Sequence, residues 1–98
     1  MTYTTAVVLQ ALARGLRYGF DIADATGLRG GTVYPILRRL EAEGLVASSW
    51  EDVEVSRGEG RPSRKYYRLL EAAEAVVAEA SRRFPFPGDG ARWEPERA

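Results

Sequence analysis

The chain has 98 residues, 45% of them apolar, and its fourteen basic residues balance fourteen acidic ones to a formal net charge of zero. That is enough for one small domain with a modest core and leaves no room for a second. Cysteine and histidine are both absent, which excludes disulfide staples, thiolate nucleophiles, imidazole bases and the usual zinc ligands.

An enzyme would have to rest on carboxylates, arginines, one lysine, tyrosines or hydroxyls, and no two carboxylates share a recognisable apolar pocket. The expectation is therefore a protein that is not an enzyme and needs no cofactor or metal. No charged n-region precedes an apolar run, and no run approaches membrane-spanning length. A soluble, cytoplasmic protein with no membrane partner is expected.

In chain order, Tyr3 to Gly15 reads as a first helix, with Thr4 or Thr5 as cap and Ala6, Leu9, Ala11, Leu12 and Ala13 as helix formers. It is apolar on more than one face, which suits packing against both its own core and a partner. A shorter helix opens at Tyr18-Gly19-Phe20 and runs to about Thr26, with Phe20, Ile22 and Ala23 expected inward and Gly27 as its terminator.

The third helix, 31–44, is the most informative stretch. Val33, Ile36, Leu37 and Leu40 share about a third of the circumference, with Thr32, Pro35, Arg38, Arg39 and Ala42 opposite. Pro35 requires the helix to start near Gly30 to Thr32, and Gly44 sits where a C′ residue belongs. Two short helices joined by a glycine-containing turn, the second amphipathic, have the sequence form of a helix-turn-helix.

After Gly44 the period changes. Leu45 to Glu51 and Arg64 to Leu69 read as strands. In the stretch between, Asp52 to Ser63, Val53 and Val55 can extend the first strand and Arg57 to Ser63 reads as a loop. From Arg57 to Arg68, five basic residues (Arg57, Arg61, Arg64, Lys65 and Arg68) stand against Glu59 alone, a charge of +4. A helix-turn-helix followed by such a hairpin is a winged helix. The fold class is thus mostly α with a small β-hairpin (α+β).

From Leu70 to Phe84 a helical stripe returns through Ala73, Val76, Val77, Ala80 and Phe84, and Pro85 and Pro87 stop it. The expected organisation is a winged-helix domain over 1–84, whose last helix (about 70–84) mediates dimerisation, and a flexible tail over 85–98. Trp93 in that tail receives no role.

The sequence resembles the PadR-type winged-helix transcriptional regulators. The likeness rests on Tyr18-Gly19-Phe20-Asp21-Ile22, on Gly31-Thr32-Val33-Tyr34-Pro35-Ile36-Leu37 through Val46, and on Arg64-Lys65-Tyr66-Tyr67-Arg68-Leu69. The last two blocks together are fairly specific, and the likeness covers most of residues 5 to 84. It implies a homodimeric repressor binding double-stranded DNA, with the third helix in the major groove and the 52–68 hairpin as wing. It also implies pairing of the C-terminal helix with the partner's first helix, through Val8, Leu12, Ala73, Val76, Val77, Ala80 and Phe84. Some relatives bind small aromatic effectors at the dimer interface, which makes such an effector a third implied partner. The family often has serine where Arg29 stands, leaving Gly30 or Thr32 to cap the third helix. Leu69-Leu70-Glu71-Ala72-Ala73 likewise lacks a capping hydroxyl.

The candidate DNA contacts are Thr32, Tyr34, Pro35, Arg38 and Arg39 on the third helix and Arg57, Arg61, Arg64 and Lys65 on the wing. An arginine fork fits guanine O6/N7 or a phosphate; the alternative is a solvated face paired to Glu41, Glu43 or Glu51. Tyr34 either donates to a phosphate or packs sideways on the second helix. Trp50 either lines an effector pocket or packs between wing and helices, the second being the more ordinary use of a tryptophan. One of Tyr66 and Tyr67 must face the core. The alternative function is a winged-helix protein-protein interaction module without DNA binding, favoured by overall neutrality and the acids on the third helix.

Overall fold

A computed structural model of the chain describes residues 1–87, so the expectations for 88–98, Trp93 among them, lie outside the described residues. Thr2 caps α1 (Tyr3–Ala13) by accepting from the Thr5 amide, two or three residues earlier than the cap expected at Thr4 or Thr5. Every residue from Thr5 to Leu12 is buried. A helix apolar all round has to be enclosed, and α2 (Gly19–Thr26), α3 (Gly30–Ala42), β2 (Lys65–Leu69) and α5 (Glu74–Arg83) surround it.

The helix-turn-helix is formed by α2 and α3. At the end of α3, Gly44 adopts φ +77°, and the Leu45 amide reaches back to the Leu40 carbonyl at 3.0 Å, closing the helix as the sequence predicts. Its beginning differs from expectation. The N-cap residue is Arg29, which makes no side-chain capping bond, and neither Gly30 nor Thr32 takes over that role. Pro35 falls in the second turn and leaves the Gly31 carbonyl without its usual donor, on an exposed part of the helix.

The strands β1 (Val46–Trp50) and β2 pair antiparallel, with Val46 opposite Leu69 and Trp50 opposite Lys65. The other edge of β2 is tied to the start of α2 by a bridge between Tyr18 and Tyr66 and by the Tyr67 amide donating to the Arg17 carbonyl at 2.8 Å. Tyr67 is the strand tyrosine that enters the core.

Several expectations are corrected. The segment read as a strand extension followed by a loop contains a short helix, α4 (Val53–Gly58), so Val53 and Val55 do not extend β1. Asp52 caps it at the Glu54 amide (2.7 Å) and Glu54 pairs with Arg57 one turn on, which are helix signals that the Val-x-Val alternation obscured. Phe20 points outward and is 76% exposed, because positions 20 and 22 lie on opposite sides of a helix and Ile22 takes the inward one. The C-terminal segment enters through a 3-10 turn (Glu71–Ala73) before α5, with no side-chain cap, and order continues past Phe84 to Phe86, which joins the core beneath the Arg14 guanidinium.

The last correction concerns dimerisation. Val8, Leu12, Ala73 and Ala80 are between 0% and 2% exposed within a single chain, since α5 packs on its own α1. Val76 and Val77 also pack against this core, and Phe84 meets the Tyr3 ring edge-on at 5.9 Å. Val8, Leu12, Ala73 and Ala80 are thus covered within the chain itself, whereas Val76, Val77 and Phe84 remain half-buried.

Gln10, buried in α1, donates to the Phe84 carbonyl at 3.0 Å and the Ala80 carbonyl at 3.5 Å, pinning the end of α5. Replacing Gln10 by Leu keeps the bulk but removes the donor, so Gln10→Leu is expected to lower the unfolding free energy by about 1–3 kcal/mol, through the Phe84 carbonyl left without its donor. Urea unfolding measures this, and an unchanged midpoint would contradict the pinning role.

Candidate nucleic-acid interface

With Val33, Ile36, Leu37 and Leu40 turned into the core, α3 presents Tyr34, Pro35, Arg38 and Arg39 outward and Thr32 half-buried at its front. The two arginines differ sharply. Arg39 reaches back across α1, donating to the Thr5 hydroxyl at 2.6 Å and lying 3.9 Å from the Glu43 carboxylate. Arg38 makes no ion pair or side-chain hydrogen bond among the described residues, which leaves its planar fork available.

Tyr34 packs sideways, as one of its two expected roles required. Its ring lies so close to Gly19 that a Cβ there would overlap the ring, while the residue remains 39% exposed. Glycine at position 19 thus lets α3 and α2 approach closely. Beneath them, burial first, then Tyr34 and Glu41, push the Tyr67 phenol above its ordinary value, with Arg38 acting in the opposite sense.

The acids of α3 are held away from its front. Glu41 accepts from the Ser48 hydroxyl at 2.7 Å, tying the helix end to β1, and Glu43 lies beside Arg39. The outward front of α3 consequently carries Arg38 without an acidic neighbour bound to it.

The wing is built on a different principle from the one its sequence suggested. Glu51, buried at the end of β1, receives Arg61 on both oxygens, at 2.5 and 2.7 Å, and the Arg64 backbone amide at 3.2 Å. Arg61 also donates to Glu59 at 3.0 Å and to the Pro62 carbonyl at 3.3 Å, so nearly all its donors are engaged and it staples the wing rather than presenting a free cation. Arg57 is exposed beside Glu54 at 3.6 Å. Lys65 lies 5.8 Å from the centre of the Trp50 ring, and that ring is 67% exposed instead of packing between wing and helices. No cavity forms among the described residues, so Trp50 lines none.

Arg64 is set apart. Its guanidinium stacks 3.9 Å over the Tyr18 ring and lies 3.6 Å from Glu51, with no side-chain hydrogen bond among the described residues. Counted as folded, from Glu51 to Arg68, the wing has five basic residues against Glu51, Asp52, Glu54 and Glu59. The +4 of the sequence window becomes near-neutrality once the acids at the wing's root are included.

Residues 8–79 match the family described as the transcriptional regulator PadR-like family. That is more than half of the chain, which belongs to this family. Among solved structures, a PadR family transcription regulator from Clostridium difficile R20291 is 27% identical, with a TM-score of 0.69 over 83% of this chain and 85% of that one. A mutant of Lactococcus lactis ZitR (24% identity, TM-score 0.67) and the adhesin competence repressor AdcR of Streptococcus pyogenes (21%, 0.67) each align with 84% of this chain. The chain spans only 51% and 56% of those two proteins, and at such identities they share its fold alone. No curated protein matches by sequence. No helix among the described residues is long and apolar enough to cross a membrane.

The Glu51 staple makes the wing sensitive to acid. The hydrogen bond from Arg61 is the main cause that lowers this carboxyl from 4.5 to about 2; burial opposes it, and the Arg64 amide and the two guanidinium charges assist. Between those values the unfolded chain holds a proton that the folded wing does not, so the stabilisation is complete above about 4.5 and is lost as pH falls towards 2. The difference in thermal midpoint between the wild type and Glu51→Gln should therefore be largest near neutral pH and shrink through that window. A difference independent of pH would show that Glu51 does not act through its charge.

Proposed function

We propose that this PadR-like transcriptional regulator binds double-stranded DNA as a homodimer and represses by occupying a promoter, with α3 in the major groove and the wing along the flanking backbone or minor groove. The observation that carries this reading is the outward front of α3, where Arg38 has no ion-pair or hydrogen-bond partner among the described residues and the neighbouring acids are tied elsewhere. Thr32, Tyr34 and Pro35 stand at the same end of the helix, where backbone N–H groups and the positive end of its dipole favour a phosphate.

Arg38 is assigned to base edges, because a free planar fork is what bidentate guanine recognition needs. Arg64 is the wing's phosphate contact. Lys65 and Arg57 supply exposed charge beside it, whereas Arg39 and Arg61 act mainly within the chain. For the dimer, the surface left to pairing is the rim where Met1 and Tyr3 are exposed next to Phe84 and the outer side of α5. A two-fold pair would place its recognition helices on half-sites about 34–36 Å apart.

The test begins by selecting bound genomic fragments, sequencing them and titrating the recovered site by fluorescence anisotropy. Arg38→Ala is expected to weaken that site about ten- to a hundredfold, equivalent to about 1–3 kcal/mol, while affecting random duplex little. Arg64→Ala should weaken every duplex alike and lower the salt slope by about 1. Absence of duplex binding at low salt would overturn the reading in favour of a protein-interaction module, for which the exposed Phe20, Trp50, Val53 and Val55 are the available apolar contacts.

A further inference from the structure

Resting on the proposed DNA contact, we infer that Tyr18 is a positioning residue for it: with Glu51, it holds Arg64 as a preset fork for backbone phosphate. Tyr18 belongs to the helix-turn-helix and Arg64 to the wing, so their contact joins the two parts that would grip one duplex.

Three observations converge on this arrangement. The guanidinium lies 3.9 Å over the Tyr18 ring, inside the range in which a cation is attracted to an aromatic face. Main-chain contacts fix both partners: the Glu51 amide donates to the Arg64 carbonyl at 2.7 Å, the Arg64 amide donates to Glu51 at 3.2 Å, and Tyr18 bridges to Tyr66. Finally, Arg64 remains 46% exposed, with its side-chain donors free of hydrogen bonds among the described residues.

The contrast with Arg61 shows what Arg64 is suited for. Both share Glu51, yet Arg61 is only 24% exposed and its donors go to carboxylates and a carbonyl. Arg64 meets the same carboxylate at 3.6 Å as an ion pair and rests over the Tyr18 ring while its side chain stays 46% exposed. Phosphate binds the edges of a guanidinium in the plane of the fork. Contact with Tyr18 and Glu51 thus restricts the guanidinium before the phosphate arrives, and the ordering of a long side chain is no longer left to the binding step.

The probe is a random-sequence duplex, titrated by anisotropy at several salt concentrations, because a phosphate contact does not depend on sequence. Tyr18→Leu should weaken binding about three- to fivefold, the range of one exposed cation–π contact. Tyr18→Phe, which keeps the ring, should restore it. In the Arg64→Ala background, Tyr18→Leu should have no further effect. A merely structural role for Tyr18 would lower binding equally in both backgrounds, and that outcome would overturn the inference.

Arg64→Lys provides a version that does not disturb Tyr18. It keeps the charge but loses the planar fork and should weaken binding about threefold with the salt slope unchanged. Wild-type affinity in Arg64→Lys would also overturn the inference. A wild type that binds no duplex removes the underlying DNA reading as well, whereas normal wild-type binding with no Tyr18–Arg64 coupling removes this inference alone.

Discussion

The structure depends on the enclosure of α1. Eight consecutive residues, Thr5 to Leu12, are buried, and a helix with no solvent face can persist only if other elements cover every side of it. This constraint sets the position of everything else. With α1 as one wall, the apolar stripe of α3 has a single direction in which to be buried, and its opposite side, with Pro35 and Arg38, is forced outward. The helix-turn-helix is then held at close range by Gly19, over which the Tyr34 ring lies.

The same enclosure covers four of the residues expected at a dimer seam, Val8, Leu12, Ala73 and Ala80, within the chain itself. An apolar pattern on more than one face of α1 was compatible with a core on one side and a partner on the other. Periodicity does not say which chain supplies the covering helix. Here α5 of the same chain does so, with Gln10 reaching the Phe84 and Ala80 carbonyls as a polar fastening in an otherwise apolar contact. A buried amide of this kind restricts where α5 can dock, because the carbonyls at its end must meet the donor.

Most helices and both strands were legible because each rests on a signal local in sequence: the 3.6-residue stripe of α3, Gly44 after it, and the β-rich Tyr66-Tyr67 segment. What was not legible depended on competing local signals or on distant pairing. Asp52, Glu54 and Arg57 supply the cap and the one-turn ion pair of a helix, but Val53 and Val55 alternate like a strand and masked α4. Phe20 was expected inward beside Ile22, although a helix separates those positions by more than half a turn. Arg39, Arg61 and Arg64 were indistinguishable as cations in a string. Only their distances to Thr5, Glu51 and Tyr18 separate an internal tie, a staple and a presented fork.

Net neutrality looked like evidence against a polyanionic partner, and the folded distribution changes the weight of that argument. Glu41, Glu43 and Glu51 are engaged by Ser48, Arg39 and Arg61, so the acids nearest the front of α3 and the wing do not face outward unpaired. Against them, Arg29, Arg38 and Arg68 have neither ion pair nor side-chain hydrogen bond among the described residues, and Arg64 is held but open. Counterion release scales with the number of phosphates neutralised. For the proposed duplex partner, a small set of free cations per chain implies a shallow salt dependence and weak sequence-independent binding. Discrimination must then come chiefly from the groove-facing end of α3, and pairing of two chains becomes important because it doubles a contact set that is small in each.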